Sequence, residues 1–164
     1  MLYKHFYGYA MSICMRYTHN YEDAAEVLND SFMKVFLRID QYNDKYHFKA
    51  WFRKIIINSS IDYIKKEIKN KYHHSIEEMN IPESPEGQHH SYSHEELLLL
   101  VSKLSPAYRS VFNLYVIDGY NHQEISKMLG ISVGTSKSNL AKARMRLKEF
   151  LFKIDKDEYA RYTG

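Results

Sequence analysis

Apolar side chains recur every three or four residues along most of this chain, and that spacing predicts α-helices. The recurrence defines helical stretches at residues 2–17, 21–39, 48–71, 95–104, 106–117, 122–129 and 133–151. No stretch alternates apolar and polar residues between turn-forming residues, as a half-buried strand would. Six Gly and three Pro leave room for long helices. The sequence therefore predicts an all-α fold.

The predicted helix over residues 21–39 has two faces that differ in chemistry. Its apolar face is expected in the core and consists of Ala24, Val27, Leu28, Phe32, Val35, Phe36 and Ile39. The opposite face carries acidic and amide groups with one methionine, namely Glu22, Glu26, Asn29, Asp30 and Met33. Because acidic side chains in the first half of a helix also suit its dipole, part of this charge needs no partner.

The predicted helix over residues 48–71 combines apolar, aromatic and basic residues. Its core face consists of Trp51, Phe52, Ile55, Ile56, Ile61 and Ile64. A second face is cationic and consists of Arg53, Lys54, Lys65, Lys66, Lys69 and Lys71. Rings that stack with bases, next to cations that hold phosphates, are what single-stranded nucleic acid binding requires. Trp51 is equally well explained as an ordinary core residue.

Residues 122–148 predict a helix, a three-residue turn and a second helix. Asn121 and Glu124 have the spacing of a capping box. Gly130 suits the left-handed end of a helix, and Ser132 can cap the helix that follows. Residues 133–148 include five basic residues and no acidic one. This layout is typical of a helix-turn-helix that enters the major groove. A helical hairpin with a solvated basic face is the alternative.

Charge is segregated along the chain. Residues 22–44 carry net charge −4, residues 45–71 carry +6, residues 72–96 carry −6 and residues 101–148 carry +6. Such segregation indicates separate faces for separate partners, two of them nucleic acid. Helical periodicity is lost between residues 72 and 94, where two prolines and many glutamates predict a flexible acidic linker. We therefore expect two small helical domains, at residues 1–71 and 95–164, joined by a linker at residues 72–94.

Composition argues against disulfide and metal chemistry. The single cysteine, Cys14, excludes an internal disulfide framework and any cysteine-based zinc site. His89, His90 and His94 have a spacing that could hold a metal, but they lie in the predicted linker without a cysteine partner. We expect no metal and no cofactor. The polar, aromatic start of the chain and the lack of an apolar run of membrane-spanning length favour a cytoplasmic protein.

Three stretches carry motifs that occur together in one protein family. Residues 23–32 read Asp-Ala-Ala-Glu-Val-Leu-Asn-Asp-Ser-Phe, and residues 48–55 read Phe-Lys-Ala-Trp-Phe-Arg-Lys-Ile, followed by Asn58 and Asp62. The third stretch contains Leu104-Ser105-Pro106, Tyr108-Arg109, Gly119-Tyr120, Glu124-Ile125, Leu129-Gly130-Ile131-Ser132, Gly134-Thr135, Lys137-Ser138 and Ala143-Arg144. In this order they resemble region 2.2, regions 2.3 to 2.4 and region 4 of the bacterial extracytoplasmic-function (ECF) sigma factors of the sigma-70 superfamily.

The resemblance implies a promoter-specificity subunit of RNA polymerase that catalyses no reaction. Its partners would be core RNA polymerase, promoter DNA and an anti-sigma factor, often membrane-anchored, with no small-molecule substrate. By similarity, the residues that bind the polymerase are Glu26, Asn29, Asp30 and Met33. Those that read the −10 element as single-stranded DNA are Tyr42, Trp51, Arg53, Lys54, Asn58, Lys65 and Lys66. Those that read the −35 element are Thr135, Lys137, Ser138, Ala141, Lys142 and Arg144.

Four residues depart from the family pattern. Ala25 replaces an acid and Asn29 a glutamine, which is expected to soften the polymerase contacts. Ser136 stands where an aliphatic residue is common, so we expect looser packing at the start of the recognition helix. Asn139 takes a frequent arginine position and loses a phosphate contact.

Two other functions compete with this interpretation. A dimeric helix-turn-helix regulator would bind DNA without being a polymerase subunit, but it needs neither an acidic docking helix nor a single-strand reader. A histidine-dependent metallohydrolase is the enzymatic alternative. No paired carboxylates, nucleophile motif or phosphate loop in the sequence supports it.

Overall fold

Helices follow one another with short connections throughout the described part of the chain, which is residues 2–71 and 92–163 of a computed structural model. Side chains at 70, 71, 94, 95 and 155–163 are outside the description. The helices are α1 Leu2–Tyr17, α2 Tyr21–Leu37, α3 Phe48–Lys71, α4 His94–Ser102, α5 Pro106–Phe112, α6 His122–Leu129 and α7 Val133–Thr163. A 3-10 turn covers Ile39–Gln41, and a π-helical turn covers Asn113–Ile117. The predicted all-α fold is confirmed.

The first three helices pack into a bundle because each contributes one apolar stripe. Tyr17 from α1, Leu28 from α2 and Phe52 from α3 are fully buried in its centre. Asn20 begins α2, since its side chain accepts a hydrogen bond from the backbone N–H of Asp23 at 2.8 Å. The bundle holds α2 and the start of α3 next to each other, with their charged faces outward.

The prediction that Phe36 and Ile39 lie in the core is wrong. Their side chains are 57% and 49% exposed. The buried stripe of α2 is narrow and is completed by Ser31. That stripe leaves Phe36 one position outside it. Ile39 lies beyond the helix, which ends at Leu37 and continues as a 3-10 turn.

The later helices pack partly on one another and partly on the first bundle. Val101, Leu104 and Ala143 form a small buried cluster with Leu147 and Phe150 against it. Other apolar residues of the second half share one buried cluster with α1, α2 and α3, namely Val111, Leu114, Ile125 and Leu140. The two halves are therefore in direct apolar contact in this structure.

Two local features distinguish α5 and the turn that follows it. Ser105 occupies the position before the helix, with Pro106 in the first turn, but the Ser105 side chain makes no capping hydrogen bond. Tyr115 is not a core residue, because the π-helical turn shifts the residues after Phe112 out of the α-helical register. Its ring instead stacks on His122, with ring centroids 4.5 Å apart.

Candidate nucleic-acid interface

The helix-turn-helix is built by three local devices that the sequence predicts correctly. Asn121 and Glu124 form a complete capping box at the start of α6, with hydrogen bonds of 2.9 and 2.8 Å. Gly130 ends α6 in the left-handed conformation at φ 69°, where a side chain would add strain. Ser132 then caps α7 by accepting a hydrogen bond from the Thr135 N–H at 2.9 Å. These devices fix the angle between α6 and the recognition helix α7.

Ser136 is the residue that departs most from expectation in α7. It is fully buried, and its hydroxyl oxygen lies 2.9 Å from Nδ1 of His122 at the start of α6. The predicted looser packing at this position is therefore wrong. A hydrogen bond between side chains replaces the apolar contact that an aliphatic residue would make.

The outer face of α7 carries every residue predicted to read the −35 element. All six are exposed: Thr135, Lys137, Ser138, Ala141, Lys142 and Arg144. The buried face of the same helix contains Leu140 and Ala143. Small side chains at 138 and 141 leave the backbone open to a close approach, while the cations lie around them. This arrangement suits entry of the helix N-terminal half into a groove of DNA.

An aromatic cluster lies where the loop after α2 meets the start of α3. The Tyr42 ring centroid is 5.3 Å from that of Trp51 and 5.5 Å from that of Phe48, and the Tyr42 hydroxyl donates to the Tyr46 carbonyl at 2.6 Å. Tyr42 and Trp51 are each half-buried, so part of each ring faces solvent. Such a platform can stack with an unpaired base.

The predicted −10 residues on α3 separate into two groups. Lys54, Asn58, Lys65 and Lys66 are exposed along one side of the helix, as a strand-binding surface requires. Arg53 is only partly exposed, and its guanidinium donates a hydrogen bond to the carboxylate of Asp118 in the second half of the chain. In this structure, Arg53 is occupied by a protein carboxylate.

The four predicted polymerase-binding residues Glu26, Asn29, Asp30 and Met33 are all exposed on α2. Lys34 crosses to α3, with Nζ 2.8 Å from an Asp30 oxygen and 3.2 Å from an Asp62 oxygen. Partial burial would lower the pKa of Lys34, but hydrogen bonds to Asp30 and Asp62 outweigh it and raise that pKa. The ion pair between Lys34 and Asp62 connects α2 to α3 and so helps to position the exposed face of α2.

The two halves are joined by contacts that the sequence did not indicate. The Asp118 carboxylate is fully buried and contacts Arg16, Tyr17 and Arg53. Arg109 is also fully buried. One signal was available, because residues 101–148 contain two acidic side chains and the capping box accounts for one of them. Asp118 is the other acidic residue.

The described residues contain neither a cluster of candidate metal ligands nor a membrane-spanning helix. Among them, no three His, Cys, Asp or Glu side chains converge as metal ligands. No helix there is both long and apolar enough to cross a bilayer. The predicted linker at residues 72–94, with His89 and His90, lies largely outside the described residues.

Two family models match the chain in the order that the resemblance implies. The model described as sigma-70 region 2 matches residues 2–69, and the model described as sigma-70 region 4 matches residues 94–147. The first match covers the α1–α3 bundle and the second covers α4 to the recognition helix. A region 2 match disfavours a dimeric regulator that carries a helix-turn-helix alone.

Curated relatives agree with these matches. The ECF RNA polymerase sigma factor SigM of Bacillus subtilis is 31% identical over 132 residues, covering 76% of this chain and 77% of SigM. SigV of the same organism is 24% identical, and the match covers 92% of this chain and 86% of SigV. SigE of Mycolicibacterium smegmatis is 25% identical over 86% of this chain, which spans 56% of that longer protein.

A solved structure has the same fold. It is the sigma factor RpoE of Bartonella quintana, crystallised in complex with the anti-sigma factor NepR. The match has a TM-score of 0.53 at 22% identity and covers 88% of this chain and 90% of RpoE.

Proposed function

This chain belongs to the ECF group of sigma-70 factors, and we propose that it is the promoter-specificity subunit that recruits core RNA polymerase and starts transcription. The helix-turn-helix reads the −35 element, and the α1–α3 half reads the −10 element as single-stranded DNA. The observation that carries this function is the joint presence, in one chain, of region 2 and region 4. A dimeric regulator needs only the second of them.

The polymerase docks on the exposed face of α2. Glu26, Asn29, Asp30 and Met33 provide acidic and amide groups around one apolar side chain. An acidic face attracts a basic partner and orients it, while the apolar contact supplies most of the affinity. Exposed Phe36 and Leu37 extend this apolar surface toward the end of the helix.

The −10 element binds across the aromatic cluster and the adjoining cationic side of α3. Tyr42 offers part of its ring to an unpaired base, Trp51 supports that ring, and Asn58 offers an amide to a base edge. Lys54, Lys65 and Lys66 hold phosphates and fix the path of the strand. Arg53 belongs to the same set by similarity, and in this structure it is paired with Asp118.

The −35 element is read in the major groove by the exposed face of α7. Ser138, Ala141 and Lys142 lie near base edges, and Thr135, Lys137 and Arg144 hold the flanking phosphates. Phosphate contacts fix the register of the helix, and the base-edge residues supply sequence preference. Asn139 makes no phosphate contact, so this half of the chain depends more strongly on the polymerase.

The remaining functional assignments follow from the family. The protein catalyses no reaction itself and works in the cytoplasm on promoter DNA. Residues 1–71 and 95–164 act as the two reading domains, and residues 72–94 connect them with an acidic segment. The related RpoE of Bartonella quintana was crystallised with an anti-sigma factor, and we assign this chain a partner of the same class.

Reconstitution with core RNA polymerase tests the function. Purified chain and core enzyme should co-elute in gel filtration and start transcripts at one position on a cognate promoter selected from genomic DNA. Core enzyme alone is the control and should start at no defined position. Sequence-specific DNA binding by the chain without any association with polymerase would contradict the proposal and favour the dimeric regulator.

A further inference from the structure

Asp62 is an acidic residue on the side of α3 that is proposed to bind −10 DNA. It follows Asn58 by four residues and precedes Lys66 by four, so helical geometry places it between them on the same side of the helix. Its side chain is 60% exposed. The sequence of α3 contains one other acidic residue, Glu67, whose side chain is only 14% exposed. An exposed carboxylate at position 62 repels the phosphates that the neighbouring lysines are proposed to hold.

Lys34 approaches this carboxylate from the neighbouring helix α2. Its Nζ lies 3.2 Å from an Asp62 oxygen and 2.8 Å from an Asp30 oxygen. It also donates a hydrogen bond to the hydroxyl oxygen of Ser59, 3.0 Å away. The three donors of a lysine ammonium thus have three acceptors. Because the Lys34 side chain is only 25% exposed, salt screens these contacts less than it screens a fully solvated ion pair.

Asp30 anchors Lys34 on its own helix. Burial alone would raise the pKa of Asp30, but hydrogen bonds with Lys34 and Ser59 and the charges of Lys34 and Lys66 lower it. Asp30 is therefore ionised at neutral pH and pairs with the lysine four residues further along α2. From this anchored position, the Lys34 ammonium reaches Asp62 on α3.

An open groove lies between the surface that is proposed to dock the polymerase and the surface that is proposed to bind −10 DNA. It has a volume of about 430 Å³ between α2 and α3. Asp30 borders the groove on the docking side, and Lys65 and Lys66 border it on the DNA side. Lys34 and Asp62 line it as well. Asp62 therefore has room to adopt another rotamer when Lys34 does not hold it.

The absence of Lys34 would change the surroundings of Asp62 in two ways. Asp62 could turn along α3 to Lys66, because an acid four residues before a lysine is the favourable order for a pair on a helix. A lysine that is proposed to hold a phosphate would then be occupied by a carboxylate. In addition, one negative charge would lie nearer to the DNA strand. Two unit charges 4 Å apart in water interact with an energy that corresponds to about a fivefold change in affinity.

We propose that Lys34 is a positioning residue for −10 reading, which draws the Asp62 carboxylate toward α2 and keeps Lys65 and Lys66 free for phosphates. Lys34 itself does not touch the DNA. This role of Lys34 rests on the proposed −10 binding by the cationic side of α3. It means that a residue of the polymerase-docking helix determines how tightly the adjoining helix binds the strand.

The affinity of the holoenzyme for a labelled single-stranded −10 oligonucleotide tests this role. Core polymerase is kept in saturating excess, so that a change in docking does not limit binding. Lys34→Met removes the ammonium and keeps an unbranched side chain, and the affinity should fall about fivefold. Asp62→Asn in the otherwise wild-type chain should change the affinity by less than about twofold, because Lys34 already holds the carboxylate. In the Lys34→Met background, Asp62→Asn should restore most of the lost affinity. The two substitutions are thus expected to be non-additive.

Three further variants serve as controls. Lys34→Gln is a second neutral variant and should behave as Lys34→Met does. Lys34→Arg keeps the charge and the hydrogen-bond donors and should retain the wild-type affinity. Lys127→Met removes an exposed lysine from α6, away from the −10 surface, and should leave the affinity unchanged. Circular dichroism should show the same helix content in all variants.

Four results would overturn the positioning role. An equal gain from Asp62→Asn in both backgrounds would show that only long-range charge matters. A loss from Asp62→Asn alone would show that the carboxylate contributes to binding. A persistent loss in the double variant would show that Lys34 contacts the strand itself. If the wild-type holoenzyme binds no −10 oligonucleotide, the proposed function fails as well, whereas in the other three cases wild-type binding stands and only the role of Lys34 is wrong.

Discussion

Nδ1 of His122 lies 2.9 Å from the hydroxyl oxygen of Ser136, joining the starts of the two helices in the helix-turn-helix. Ser136 has no solvent exposure, and the His122 ring is also stacked against Tyr115. The angle between the helices therefore depends on one polar contact as well as on apolar packing.

Removing that contact should destabilise the second half of the chain. Ser136→Ala leaves a ring nitrogen of His122 without its partner, at a cost of about 1 kcal/mol in the free energy of unfolding. Urea unfolding followed by circular dichroism measures the change. Ser138→Ala removes a hydroxyl from the exposed face and should stay within about 0.5 kcal/mol of the wild type. Equal losses in the two variants would contradict a structural role for the His122 contact.

Lys142 should supply sequence preference at the −35 element. Lys142→Ala is expected to cost about 1–3 kcal/mol of binding free energy at one base pair if the contact reaches a base edge. Lys137→Ala is the matched control, because a phosphate contact should weaken binding equally on all sequences and reduce the salt dependence. The affinity of the holoenzyme for a set of promoters that differ in the −35 sequence distinguishes a base contact from a phosphate contact. A uniform loss in Lys142→Ala would show that this residue touches phosphate alone.

Met33 should act as the apolar anchor of the polymerase contact. It is 58% exposed on the acidic face of α2, so Met33→Ala should leave folding unchanged. Truncation of a central anchor typically costs about 2 kcal/mol or more, so affinity for core polymerase should fall at least about thirtyfold. Met15, which is 41% exposed on α1, provides the matched Met15→Ala control. A titration of each labelled variant with core enzyme measures its affinity. Equal affinities of the Met33→Ala and Met15→Ala variants would rule out this docking face.

Cys14 should be inert until the protein unfolds. Burial raises the pKa of its thiol to about 12, compared with about 8.5 for an exposed cysteine. The native protein should therefore resist iodoacetamide at pH 8, and urea should expose the thiol to alkylation, as read by mass spectrometry. Because the folded-state pKa is the higher one, the contribution of this group to stability is complete below about pH 8.5 and is lost as pH rises toward 12. Fast alkylation under native conditions would contradict the burial of the Cys14 side chain in α1.

The parts of the fold that could be predicted from sequence are those set by local rules. The capping box at Asn121, the left-handed Gly130 and the cap at Ser132 all depend on residues within three or four positions of one another. The helical spacing of apolar residues likewise identifies α1, α2 and α3, and α1 has the predicted bounds. The six residues that the family motifs predict to read the −35 element are all exposed, as that role requires.

The parts that could not be predicted depend on contacts between distant residues. Asp118 meets Arg53 across 65 positions, and no periodicity indicates that these two charges are partners. Phe36 was placed in the core because it fits an apolar spacing, but spacing does not say how wide the buried stripe is. Ser136 breaks an apolar pattern, and the partner that compensates for it lies on another helix.

The proposed function requires one chain to read two promoter elements, one of them as melted DNA. Permanganate footprinting of unpaired thymines measures melting of the −10 element, and nuclease protection measures binding to the −35 element of the same promoter. The holoenzyme should protect the −35 element and make −10 thymines reactive. Asn58→Ala should reduce the −10 reactivity while −35 protection remains. Protection at −35 by the chain with no −10 melting in the presence of core polymerase would contradict the proposed function.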